Sequence, residues 1–135
     1  MTTDEERTGA PSAIRLVLAD DESVSLQALR DFLGEAGYVI VGVASDGYSA
    51  LEQIIKHQPD VAILDLRMPG LNGIEVATEL RNRAIQIPAI ILSAYDDAHL
   101  QMAAERVDVA TYLVKGCSAQ AIFRAIGEAA GRSTK

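Results

Sequence analysis

Along this 135-residue chain, apolar and polar positions follow two alternating regimes. Five short runs are almost continuously apolar: IRLVLA (14–19), YVIVGVA (38–44), VAILDL (61–66), PAIILSA (88–94) and TYLVK (111–115). A half-exposed strand alternates polar and apolar residues, so these runs suit strands covered on both faces. Between and after them lie five stretches with the spacing of amphipathic helices. In 22–36, Val24, Ala28, Phe32 and Leu33 mark one face, widened by Leu26, Leu29 and Ala36. Ala50, Leu51, Ile54 and Ile55 mark the second helix, and Ile74, Val76, Ala77 and Leu80 the third. Leu100, Ala103, Ala104 and Val107 mark the fourth, and Ala121, Ile122, Ala125, Ile126 and Ala129 the fifth. Gly37, Gly47 and Gly73 punctuate them as caps and turns. Five βα units with apolar strands predict an α/β fold, a doubly wound five-stranded parallel sheet.

The remaining segments complete a single-domain plan. Residues 1–13 are polar and acidic with Gly9 and Pro11, and read as a flexible arm. Residues 14–131 form the domain, and 132–135 a short tail. No apolar run approaches the ~20 residues of a membrane helix. The acidic start is unlike a signal peptide, so a soluble cytoplasmic protein is expected. The single cysteine, Cys117, excludes an internal disulfide framework and reads as a small, inert residue. His57 and His99 share no motif and read as surface residues. A net charge of −7 argues against direct nucleic-acid binding by this domain.

Charge and topology together locate the candidate chemistry. In open α/β sheets, ligands bind outside the carboxyl ends of the strands. Here the first strand ends in Asp20-Asp21-Glu22, the third in Asp65, the fourth in Ser93 and the fifth in Lys115, while the second ends blandly in Ala44. Taken alone, an Asp-Asp pair is a helix cap. Taken together, clustered carboxylates repel and raise one another's pKa unless a cation neutralises them. Hard oxygen ligands with room for water suit Mg²⁺.

The motifs LADDES, DLRMPGLNG, LSAYDD and YLVKG stand in the order and spacing of the receiver domain of two-component response regulators. The chain resembles that family over roughly residues 14–130, and is closest in motif to the transcription-factor branch related to nitrate regulators. The resemblance implies the flavodoxin-like receiver topology and an aspartyl-phosphate switch in place of an ordinary enzyme. It implies that Asp65 accepts a phosphoryl group from a sensor histidine kinase or phosphotransfer protein. Asp21 and Asp65 would be direct Mg²⁺ ligands, Asp20 would hold the ion through water, and the Arg67 carbonyl would complete the set. Ser93 and Lys115 would take up phosphoryl oxygens in the transfer and in the product, and Tyr112 would be the aromatic switch. Pro69 and Gly70 shape the loop after Asp65 by fixing φ and relieving sterics. The output expected is a change in the face formed by residues 97–107, 111–114 and 118–130, with phosphorylation-dependent homodimerisation there.

Two positions depart from the family pattern. Gly116 follows Lys115 where many receivers carry a proline in a cis peptide, although the branch related to nitrate regulators often lacks it. Asp108-Val109 stands where Gly-Ala is usual; Asp tolerates the left-handed conformation better than most residues, though less well than Gly. A haloacid dehalogenase-type phosphatase also uses a strand-end Asp with Mg²⁺, but it needs a second acid two residues on, where Arg67 stands. A flavodoxin-like flavin carrier is opposed by DDESVS at 20–25, which is hostile to a flavin phosphate. With Lys135 closing the chain soon after the fifth helix, a stand-alone regulator is expected, with the receiver half of a longer DNA-binding transcription factor as the alternative.

Overall fold

The computed structural model describes residues 13–133. The expected arm and tail lie outside the described residues, apart from Ala13 and the last turn of the final helix. In chain order the elements are β1 (Arg15–Ala19), α1 (Ser23–Glu35), β2 (Val39–Ala44), α2 (Gly47–His57) and β3 (Val61–Leu64). They continue with α3 (Gly73–Asn82), β4 (Ala89–Ser93), α4 (Ala98–Arg106), β5 (Thr111–Val114) and α5 (Ala119–Ser133). The five strands form one sheet in the order β2-β1-β3-β4-β5, all parallel.

Period-two alternation divides each central strand between two cores. Val17, Ala19, Ala62, Leu64, Ala89 and Ile91 pack on one face with α2 and α3 residues such as Ile54, Val76 and Leu80. Leu16, Leu18, Val61, Ile63, Ile90 and Leu92 pack on the other with Leu33, Ala125, Ile126 and Ala129. Both faces of β1, β3 and β4 are therefore buried, which is why those runs read as continuously apolar.

The chain winds from β1 outward to β2, then returns past β1 to β3 and continues the other way. The switch point lies between β1 and β3, so Asp20 and Asp65 leave the sheet side by side. Asp65 N–H donates to Ala19 O at 2.8 Å and Asp20 N–H to Ala44 O at 3.1 Å, which fixes both backbones at the rim.

The α1 face differs from its sequence expectation. The buried stripe is Leu33 with the half-buried Leu26 and Leu29, whereas Val24 is 76% exposed and Ala28 points outward. Phe32 also turns away from the sheet but stacks on Phe123 at 5.3 Å between ring centroids. The 26-29-33 spacing sets the helix phase, and two apolar stripes on one helix cannot both face the sheet. Gly37, at φ 104, follows α1 as a turn requires. Asp108 occupies the left-handed region at φ 61, as does Gly116 in the loop after Lys115 at φ 97. Among the described residues, no helix is long and apolar enough to cross a membrane.

Candidate functional site

Of the strand-end residues singled out above, Asp20, Asp21, Asp65 and Lys115 converge at the carboxyl edge of the sheet, and Ser93 ends the neighbouring strand β4. Asp20 is buried, with Oδ1 accepting from Glu22 N–H at 2.9 Å and Oδ2 accepting from Lys115 Nζ at 2.9 Å. The same ammonium lies 3.6 Å from Asp65 Oδ1. Lys115 is aimed from the opposite end of the rim because its backbone N–H donates to Ser93 O at 2.6 Å. Asp21 is exposed at the outer side. One carboxylate oxygen from each of Asp20, Asp21 and Asp65 lies within 4.8 Å of the others.

This crowding has an electrostatic signature. Burial, followed by the charge of Asp20, pushes the Asp65 carboxyl up to about 6, and Lys115 offsets only part of that. Burial alone would lower the Lys115 pKa, but its hydrogen bond to Asp20 and the charges of Asp65, Asp20 and Glu22 outweigh it, so the net shift is upward. Among the described residues, three carboxylates stand there against one ammonium, which leaves excess negative charge in a partly desolvated place. The all-oxygen donor set and short mutual distances fit a hard divalent cation such as Mg²⁺.

Ser93 is fully buried, and its Oγ accepts from Tyr95 N–H at 3.0 Å. Tyr112 is half-buried, and its hydroxyl donates to Tyr95 O at 2.7 Å. The Arg67 guanidinium is exposed and sits 4.2 Å from the centroid of the Tyr95 ring. Tyr95 thus touches three expected site residues at once. Tyr95 lies within the LSAYDD motif, and the sequence signal for its part is its place two residues after Ser93.

The loop from Asp65 to Asn72 is held at both ends. Gly73 N–H donates to Leu66 O at 2.9 Å, and a Cβ at Gly73 would come within 2.6 Å of Asp65 O. Asn72 caps α3 reciprocally with Glu75. Cys117 is half-buried against the second core, with its N–H donating to Val114 O. His57 is half-buried, and His99 is exposed with its backbone N–H bonded to Asp97 Oδ1. Neither histidine joins the rim.

The family model for the response regulator receiver domain matches residues 16–127. The transcriptional regulatory protein PdtaR of Mycobacterium tuberculosis is 36% identical over 127 residues, covering 93% of this chain and 62% of that protein. The transcriptional regulatory protein NarL of the same organism is 35% identical over 117 residues, covering 86% of this chain and 54% of that protein. The chain therefore spans between half and two thirds of the length of these relatives. The solved signal receiver domain of Mycobacterium tuberculosis NarL superposes with a TM-score of 0.83 at 33% identity, covering 90% of this chain and 98% of that one. The match over most of the chain, and the fold shared with a solved receiver domain, lead to one conclusion: the chain belongs to the response regulator receiver-domain family.

Proposed function

We propose that this chain is a phosphorylation switch that accepts a phosphoryl group on Asp65 and passes the change to its α4–β5–α5 face. Receiver domains are signalling switches that work with histidine kinases or phosphotransfer proteins and bind Mg²⁺ through an acidic cluster. The observation that carries the reading is the convergence of Asp20, Asp21 and Asp65 with Lys115 at the β1/β3 switch point. Asp20, Asp21 and Asp65, with the Arg67 carbonyl, are the groups that would hold Mg²⁺; when bound it supplies positive charge to the phosphoryl oxygens.

The chain's own residues then have separable tasks. An Asp65 oxygen forms the new P–O bond as the donor's P–N bond breaks, and the electron pair leaves with the imidazole nitrogen. This chemistry asks mainly for position and charge. Ser93 Oγ already accepts from Tyr95 N–H, so its own proton is available to a phosphoryl oxygen. Lys115 leaves its bond to Asp20 for the new negative charge beside Asp65. Drawing Ser93 inward pulls on the Tyr95 backbone, to which the Tyr112 hydroxyl is bonded. Of the residues expected to make the output face apolar, Ala119 is exposed and Ala103 half-buried, while Val107 and Ile122 pack against the cores. With the exposed Met102 they are the surface through which a second copy would pair after phosphorylation.

Mass spectrometry after exposure to acetyl phosphate and Mg²⁺ tests the assignment. One phosphoryl group is expected on the wild type and none on Asp65→Asn; full labelling of that variant overturns it. In this reading the chain acts as a stand-alone regulator. A second reading makes it the receiver half of a longer DNA-binding transcription factor, favoured because the matched regions of PdtaR and NarL lie within longer transcriptional regulators. The intact mass of the protein from its native cells separates the two.

A further inference from the structure

The loop that carries the Arg67 carbonyl is gripped by a helix that contributes nothing else to the rim. Gly47, the first residue of α2, donates its N–H to Pro69 O at 3.1 Å. A Cβ at Gly47 would overlap the Leu71 carbonyl oxygen and also lie 2.5 Å from Leu71 Cβ. The next residue, Tyr48, is 65% exposed, yet its ring covers Gly70, where a Cβ would meet Tyr48 Cδ2 at 2.7 Å. Gly70 itself has φ 78, a conformation that suits glycine. The helix start is fixed in turn by Asp46, whose carboxylate accepts from both Ser49 N–H and Ser49 Oγ.

These contacts bracket Arg67. The Leu66 carbonyl is taken by Gly73 N–H and the Pro69 carbonyl by Gly47 N–H. Among the described residues, no hydrogen bond reaches the Arg67 carbonyl, which lies between those two anchored positions. We propose that the first turn of α2 is a brace for the metal-binding loop, with Gly47 as the positioning residue and Tyr48 as the cover that keeps Gly70 in its turn. The brace rests on the reading of the rim as an Mg²⁺-dependent phosphoacceptor site. It extends that site to a helix on which no ligand or reacting group sits.

A positioning role differs from ordinary packing in what it changes. Groups that orient metal ligands typically cost tenfold or more in affinity when lost, while the chemistry of the ligands themselves is unaltered. Gly47→Ala is therefore expected to weaken Mg²⁺ binding by about tenfold, read from the metal dependence of the melting temperature. The Mg²⁺ concentration for half-maximal labelling by acetyl phosphate should rise in parallel, with the rate at saturating Mg²⁺ little changed. Tyr48→Ala should move both readouts the same way by a smaller factor, and Tyr48→Phe should restore the wild-type values because the ring remains. Leu33→Ala, in the opposite core, supplies a destabilised protein whose Mg²⁺ affinity should not move.

Amide exchange of residues 66–72 in metal-free protein gives a readout independent of the ion. Exchange should be faster in Tyr48→Ala than in the wild type and unchanged in Tyr48→Phe, and this comparison decides the matter if Gly47→Ala does not fold. Wild-type Mg²⁺ affinity in Gly47→Ala and Tyr48→Ala, with loop exchange as slow as in the wild type, overturns the brace. A wild type that neither binds Mg²⁺ nor takes label overturns the phosphoacceptor reading, while the exchange data still test the brace.

Discussion

Lys115 Nζ donates to Asp20 Oδ2 at 2.9 Å and lies 3.6 Å from Asp65 Oδ1, so its ammonium is hydrogen-bonded to the buried acid and forms a longer ion pair with the proposed acceptor. Lys115 thus provides positive charge beside Asp20 and Asp65, which offsets part of the repulsion among the clustered acids.

The ammonium and a divalent ion therefore compete for the same negative charge. Lys115→Ala is expected to tighten Mg²⁺ binding by about fivefold, corresponding to roughly 1 kcal/mol of relieved repulsion in a partly screened site. Calorimetric titration measures it, and weaker binding in the variant would contradict the arrangement. Phosphorylation of the variant should persist, while coupling to the output face should be lost.

Asp65 sets a pH dependence in the metal-free protein. Its carboxyl is raised from 3.8 to about 6 on folding, so the folded state holds its proton more tightly than the unfolded chain. That contribution to stability is complete at pH values below the unfolded pKa and is lost as pH rises through the folded one. Metal-free urea midpoints should accordingly fall between about pH 4 and pH 7, and Asp65→Asn should flatten that slope. At neutral pH, Mg²⁺ at about 100 times its dissociation constant should restore roughly 2.7 kcal/mol, provided the unfolded chain does not bind it. Most of that gain should disappear in Asp21→Ala.

Helix α1 offers a comparison between two apolar side chains nine residues apart. Leu33 is fully buried against the sheet, and truncating it to Ala should cost about 2–5 kcal/mol in denaturant unfolding. Val24→Ala should change stability by no more than about 0.5 kcal/mol, since its side chain is largely solvated. Equal losses at the two positions would mean that the helix sits in the other phase.

The Tyr112 hydroxyl bond to Tyr95 O predicts where phosphorylation is felt. Amide exchange of the phosphorylated protein should change across residues 97–107, 111–114 and 118–130, and Tyr112→Phe should weaken that response. A full population switch from 1:99 to 99:1 requires about 5.5 kcal/mol, and a smaller bias still gives a measurable shift. Changes confined to α1 and α2 would place the output elsewhere.

Much of this molecule was legible in one dimension. Apolar runs bounded by turn residues fixed the strands, and strand-end positions picked out Asp20, Asp21, Asp65, Ser93 and Lys115, because a parallel sheet brings all carboxyl ends to one rim. Periodicity did not fix the phase of α1: Val24 and Leu33 both belong to apolar stripes, and only packing against Leu16, Leu18 and Ile126 selected the second. Tertiary structure also decided that Lys115 bonds Asp20 across 95 residues of sequence, that Tyr95 joins Ser93, Tyr112 and Arg67, and that Gly47 seats against Leu71. Each of these depends on a separation of a few ångströms between segments whose relative placement is set by the whole sheet. Sequence specified which groups reach the rim; the fold alone determined which of them touch.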